Sequence, residues 1–264
     1  MIASLGMYDP RWLHHANDAL WQAIATRLRA MGITTAPDRL SRARPLDAIW
    51  TAPDCLLAQT CGYPLTTRLG ASVAVVATPI YHAEGCEGAW HRSALIVRRD
   101  DQVSDLAALA GRTAAINARD SNTGMNLLRA AVAPFARNRR FFASVIETGA
   151  HARSLCAVIA GRADIAAIDA VTLALLRDRY PAIDRRIRVL GWTAATPGLP
   201  LITAARQPVA ALRSALAEVM ADPALATVRA ALRLGGMTVL DRDAYDAVPA
   251  LEYEAARAGY PELA

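Results

Sequence analysis

Residues 112–179 alternate short apolar runs with helical stretches, and that alternation restricts the fold more than any other feature of the chain. Strand-length runs fall at 113–116, 141–147 and 163–168, and apolar residues at helical spacing follow each one, over 123–133, 152–160 and from Asp169 to about Arg179. Strand, helix, strand, helix with short loops is the signature of βαβ units, and predicts a parallel or mostly parallel sheet with helices on its faces. The polar residues are not scattered. They collect where each strand ends, as Asp120 to Thr123, Thr148 to His151, and Asp169. In open α/β sheets ligands bind beyond the carboxyl ends of the strands, so three polar clusters at that edge predict one binding site.

The first cluster is the most informative. Asn117 to Thr123 is crowded with residues that favour turns and helix N-caps, and Leu127, Leu128, Ala131 and Val132 then fall at helical spacing. A strand that feeds a helix through such a loop aims free N–H groups and a positive dipole end at one spot, which suits an anion. Ser121, Asn122 and Thr123 add hydroxyls and an amide, and Gly124 lets a ligand approach the backbone. An ordinary N-capped helix needs the same residue types. The coincidence of three clusters favours a site.

The rest of the chain supplies a frame. A short apolar segment at 2–7 reads as a strand, followed by a helix over about 12–31, a short helix at 46–50 and a strand at 55–59. Residues 71–81 are too uniformly apolar for a half-exposed edge and predict a central strand. Further strands are predicted at 93–98, 187–192 and 237–240, a short helix at 103–109, an apolar run at 199–204, and helices at about 208–221, 224–234 and from 249. With 264 residues, 54% of them hydrophobic, the chain suits one large α/β domain or two lobes and excludes general disorder.

The 29 basic residues are all arginine, interspersed with 24 acids, with no basic stripe and no reading motif, which excludes a nucleic-acid partner. No run approaches the roughly 20 apolar residues of a membrane span, so the chain is not expected to cross a membrane. No targeting segment is visible at its start, which predicts a cytoplasmic protein if the chain is complete. Cys55, Cys61, Cys86 and Cys156 match no zinc pattern and read as free thiols; a Cys61–Cys86 bridge is the alternative in an oxidising compartment. The absence of a Walker loop, a dinucleotide fingerprint and a serine elbow leaves no cofactor or metal to expect.

Four segments together carry a resemblance: Thr60-Cys61-Gly62-Tyr63-Pro64, Asp120-Ser121-Asn122-Thr123-Gly124, Glu147-Thr148-Gly149-Ala150-His151, and Gly161 through Asp169. The chain resembles the phosphonate-binding (PhnD-like) substrate-binding proteins of ABC transporters over roughly residues 2–205. The run from Gly149 to Asp169 is its most specific part. The resemblance implies a type II periplasmic-binding-protein fold, with two α/β lobes, each a mixed, mostly parallel sheet flanked by helices, joined by two crossing strands near 90–96 and 188–194. It places residues 1–92 and 191–264 in lobe 1 and 93–190 in lobe 2. It implies an oxyanion loop of Ser121, Asn122 and Thr123, with His151 and Asp169 also facing the ligand and Tyr8 and Tyr63 contributing from the other lobe. The loop reads Ser-Asn-Thr where the family reads Ser-Thr-Ser. A small anionic ligand, an ABC permease as partner and a periplasmic location are further implications.

Each site residue also has a plainer reading. His151 could pack or cap at a helix start, Asp169 could be an N-cap, and Tyr63 could be a packing aromatic. Cys61 lacks a neighbouring base and reads as a buried thiol rather than a nucleophile. The expected function is therefore a non-catalytic solute-binding protein that captures a small oxyanion, such as phosphonate or a phosphate-like organic compound, for ABC-type uptake. The rivals are a cytoplasmic ligand sensor and a cofactor-biosynthesis-type enzyme on the same fold, using Cys61, His151 or Asp169.

Overall fold

The computed structural model describes all 264 residues and divides into two compact units. Unit 1 comprises residues 1–82 and 197–244; unit 2 comprises 83–196 and 245–264.

Unit 1 holds a five-stranded sheet in the order Ile2–Ser4, Cys55–Gln59, Leu201–Ala204, Val73–Tyr81, Leu234–Thr238. Only the first pair is parallel; the other three are antiparallel. This sheet is therefore mixed but not mostly parallel, because Leu201–Ala204 enters from far along the chain between two earlier strands. Val73–Tyr81 is flanked on both sides, as its apolar sequence predicts. The helix His14–Ala30 buries Leu20, Trp21, Ile24, Ala25 and Leu28 at helical spacing and packs against Val209–Ala221. Trp21, completely buried, donates its indole N–H to the Pro37 carbonyl at 3.0 Å, which ties the polar loop after the helix to the core.

Unit 2 holds a second five-stranded sheet in the order Ile187–Trp192, Ser93–Arg98, Ile165–Asp169, Thr113–Ile116, Ser144–Glu147. The predicted βαβ units are present: Thr113–Ile116 pairs in parallel with both Ser144–Glu147 and Ile165–Asp169. Ile165–Asp169 is buried at all five positions, and its apolar residues face helices that include Leu155, Val158, Leu173 and Leu176. Sequence placed the crossings between lobes near 90–96 and 188–194. In the structure those segments form strands that pair with each other antiparallel inside unit 2, and the chain passes between units at 82–83, 196–197 and 244–245.

The third passage corrects the sequence boundary, which left 191–264 in one lobe. The helix Ala247–Arg257 and the tail belong to unit 2 because their backbone is bound there: Asn126 donates to the Val248 carbonyl at 3.0 Å, and Phe141 and Phe142 donate to Ala264 O at 2.8 and 3.0 Å. Those last bonds also explain why the strand predicted from 141 starts at Ser144, since two of its N–H groups are taken by the C-terminus. The helix predicted at 103–109 shortens to Ala107–Leu109, with the Asp101 and Asp105 carboxylates accepting from Val103 and Ala108 N–H. The last strand is Leu234–Thr238 rather than 237–240.

Candidate functional site

The loop after Thr113–Ile116 enters a wide helical turn, Asn122–Asn126, which continues as the helix Leu127–Val132. Ser121 caps it: its Oγ accepts from Gly124 N–H at 3.0 Å, and its carbonyl receives both Met125 and Asn126 N–H, at 3.2 and 3.0 Å. Two donors on one carbonyl widen the first turn, so the loop spreads around its start instead of coiling tightly. The Ser121 hydroxyl proton is not used by the cap and can be donated.

The second cluster comes to the same place. His151 begins the helix His151–Ile159, and its Nε2 lies 2.9 Å from Thr123 Oγ1. Two helix starts, each with first-turn N–H groups that no intrahelical carbonyl can satisfy, are thus joined by one side-chain hydrogen bond. Thr123 is held from behind by Ser93, whose fully buried hydroxyl donates to the Thr123 carbonyl at 2.8 Å. Gly124 has a steric purpose: a Cβ at this position would lie 1.7 Å from Asn117 Oδ1 and 3.1 Å from His151 Cε1. Asn117 Oδ1 is buried without a hydrogen-bond partner.

Asp169, 1% exposed, ends its strand and caps the helix Ala170–Arg179 by accepting Thr172 N–H at 2.8 Å. The plain N-cap reading is therefore correct for one of its oxygens. Its charge is felt nearby. Burial pushes the His151 ring below its ordinary pKa of 6.5, with Asp169 and the Ala167 carbonyl pulling the other way. The same holds for the fully buried His91, lowered by burial against the pull of Asp169. Burial, reinforced by Asp169, pushes the Cys86 thiol up to about 12, which keeps it protonated and unreactive.

These two rings give the chain an acid limit. Well above pH 6.5, their ordinary pKa, both are neutral in the folded and unfolded chain and cost nothing. Below it the unfolded chain binds protons that the folded one resists, so stability falls as pH falls. Thermal melts are expected to show a lower Tm at pH 5 than at pH 7, with a flatter slope in His91→Asn or His151→Asn. Equal melting at both pH values would refute this.

Five sequence-selected residues, Ser121, Asn122, Thr123, His151 and Asp169, belong to unit 2, whereas Tyr8 and Tyr63 belong to unit 1. Tyr8 is buried and meets Tyr81 edge-on, ring centroids 5.2 Å apart. The Tyr81 hydroxyl accepts from Gln59 Nε2 at 3.3 Å. Tyr63 is half-buried and its carbonyl accepts the Thr66 and Thr67 hydroxyls. Cys61 is buried in unit 1, while His151 and Asp169 lie in unit 2. All four cysteines are free thiols. Sequence reasoning did not single out Ser93, which holds the Thr123 carbonyl, or Asn117, which lies against Gly124. Asn117 could have been found, because it directly follows a predicted strand at the binding edge. Ser93 opens a strand and gives no signal.

Comparison with known proteins agrees with this architecture. Residues 57–245 match the family described as ABC transporter, phosphonate, periplasmic substrate-binding protein. No individually curated protein matches the sequence. Among solved structures, XAC2383 from Xanthomonas citri bound to chloride superposes with a TM-score of 0.71 at 17% identity, covering 98% of this chain and 97% of that one. The binding-protein component of an ABC phosphonate transporter, PA3383 from Pseudomonas aeruginosa, gives 0.73 at 17% identity, over 91% and 82%. PhnD1 from Prochlorococcus marinus, in complex with methylphosphonate, gives 0.71 at 10% identity, over 92% and 94%. At these identities the structural likeness shows the fold, and these neighbours share the type II periplasmic-binding-protein fold expected from sequence.

Proposed function

We propose, from the premise that this chain belongs to the family of periplasmic substrate-binding proteins of phosphonate ABC transporters, that it captures a small phosphonate or phosphate-like oxyanion on the loop 121–124. The chain is a solute-binding protein by family, and the family's partner is an ABC permease. No helix in it is long and apolar enough to cross a membrane.

One observation carries the ligand assignment: the 2.9 Å hydrogen bond between Thr123 Oγ1 and His151 Nε2 joins two helix starts at one point. An oxyanion oxygen there would accept from first-turn N–H groups of both helices, from the Ser121 hydroxyl, and from the Thr123 hydroxyl, whose proton is left for the ligand when His151 Nε2–H donates to Thr123 Oγ1. Asp169 would take a proton still carried by the ligand, and Asn122 would contribute through its place in the first turn. Tyr8 and Tyr63 remain proposed contacts on the strength of the family resemblance. Related structures bound to chloride, methylphosphonate and ATP support an anionic ligand. The transport reading is favoured over an enzyme because the family is a binding one and because Cys61 is buried in unit 1 whereas His151 and Asp169 belong to unit 2.

Calorimetric titration with methylphosphonate, phosphate, sulfate and ATP tests this. Binding of at least one phosphorus oxyanion is expected, with Ser121→Ala and His151→Ala each weakening it about tenfold, the loss of one charge-assisted hydrogen bond. Silence across the panel at millimolar concentration would overturn the ligand class. Parental affinity in both variants would overturn the site.

A further inference from the structure

Sequence marks Asn122 as a ligand contact, yet its side-chain amide is engaged inside the protein. Its Nδ2 donates to Thr196 Oγ1 at 2.9 Å, and its Oδ1 accepts from Asn126 Nδ2 at 3.1 Å. Asn126 Nδ2 also donates to the Val248 carbonyl at 3.0 Å, and its Oδ1 accepts from Arg129 Nη2 at 2.6 Å. Arg129 Nη1 in turn reaches the Pro261 carbonyl at 2.8 Å. Asn122, Asn126, Arg129 and Thr196 are 2%, 0%, 3% and 1% exposed.

Polar side chains buried this deeply cost desolvation unless they satisfy one another, and a connected run of them then specifies one conformation. This run has two ends outside the oxyanion loop. One is Thr196, the last residue of unit 2 before the chain passes into unit 1 at Pro197. The other is the C-terminal segment, engaged at Val248 and Pro261. In the middle stands Asn122, with the hydroxyl residues Ser121 and Thr123 on either side. A serine or threonine at 122 would put donor and acceptor on one oxygen close to the backbone, whereas the amide carries them on two atoms that point to Thr196 and Asn126 separately.

We propose that Thr196, Asn122, Asn126 and Arg129 form a positioning relay: the chain passage at Thr196–Pro197 and the C-terminal segment hold Asn122, and Asn122 sets Ser121 and Thr123 for ligand. Disturbing the relay at Thr196 weakens oxyanion binding without removing any ligand contact. The affinity arm of this inference rests on the oxyanion reading above; its conformational arm does not.

Thr196→Val removes the acceptor of Asn122 at nearly constant volume, and Thr196→Ser keeps the hydroxyl. Thr203→Val is the control: it removes an equally buried hydroxyl bond, to the Cys55 carbonyl at 3.2 Å, in unit 1. With methylphosphonate and inorganic phosphate as probes, Thr196→Val is expected to bind about tenfold more weakly. Thr196→Ser and Thr203→Val should stay within about threefold of the parent, a range set by the loss of less than one hydrogen bond. Without ligand, amide exchange at Gly124, Met125 and Asn126, the donors to Ser121, should be about tenfold faster in Thr196→Val alone. Parental affinity and parental exchange in Thr196→Val, or a Thr196→Ser as impaired as the valine variant, would overturn the relay. If the parent binds neither probe, the oxyanion reading fails, and the exchange comparison still decides the relay.

Discussion

Gly124→Ala is expected to abolish tight oxyanion binding, on the order of a hundredfold or more, through a single methyl group. The added carbon would sit 1.7 Å from Asn117 Oδ1, 2.8 Å from Asn117 Cγ and 3.1 Å from His151 Cε1. Contacts that short force movement. If the start of the helix moves, the Ser121 cap at 3.0 Å and the Thr123–His151 bond at 2.9 Å both open. Overpacking of this kind costs about 1–3 kcal/mol, and losing an N-cap about 1 kcal/mol more. Two charge-assisted bonds to the ligand, at roughly 1.5–3 kcal/mol each, account for the fold-change. Backbone strain is not involved, because Gly124 is absent from the positive-φ glycines of the chain. The requirement for glycine comes from Asn117, and that makes it reversible. Asn117→Ala in the Gly124→Ala background should recover at least about tenfold by removing the clashing carbonyl. Methylphosphonate titration of the parent, the single variant and the double variant checks this. A single variant within about threefold of the parent, less than one hydrogen bond's worth, would show that the loop tolerates the methyl.

That Gly124 answers to Asn117 was not legible in the sequence, where it read only as a place for a ligand to approach the backbone. Periodicity did reveal the elements of unit 2, because Thr113–Ile116 and Ile165–Asp169 are continuous apolar runs bounded by polar loops. Such runs can only be covered strands, and strand ends are where α/β sheets bind ligands. That rule picks out Ser121, Thr123, His151 and Asp169 as candidates, and the structure brings Thr123 and His151 into hydrogen-bond contact. Pairing was harder. Nothing in Leu201–Ala204 announces that it inserts antiparallel between Cys55–Gln59 and Val73–Tyr81. Inserting a distant strand is a tertiary choice that leaves no local pattern.

Asn122 and the C-terminal helix show a second limit. A short polar residue beside Ser121 looks like a ligand donor from sequence, since composition cannot reveal that Thr196 and Asn126 use both ends of its amide. The helix Ala247–Arg257 buries little more than Val248 and Ala255 along its length. With so narrow an apolar face its pattern identifies a helix and says nothing about which unit receives it. What ties it to unit 2 is a pair of residues more than a hundred positions earlier, Asn126 on the Val248 carbonyl inside the helix and Arg129 on the Pro261 carbonyl just beyond it, and one arginine among 29 residues of that type carries no mark of being buried.

Arg129→Met is accordingly expected to cost about 3 kcal/mol of unit 2 stability, a large loss for one side chain. Methionine fills most of the volume, so the loss isolates the guanidinium rather than a cavity. In the parent the charged group, 3% exposed, donates to Asn126 Oδ1 at 2.6 Å and to the Pro261 carbonyl at 2.8 Å. Its contact with Glu252, 3.4 Å away and partly solvent-exposed, adds little. Removing the donor strands two acceptors, at roughly 1–3 kcal/mol each, against which stands the relief of no longer burying a cation. Arg129→Lys keeps the charge but cannot direct two separate N–H groups at two fixed acceptors, so it should fall between parent and methionine. Because the chain has two units, a single melting temperature would blur the effect. Amide exchange separates them: protection in Ala247–Arg257 should drop by about two orders of magnitude, the equivalent of about 3 kcal/mol, while His14–Ala30 in unit 1 stays as in the parent. Equal loss in both helices would mean that Arg129 supports the whole chain, and no loss in either would mean that the C-terminal segment is held without it.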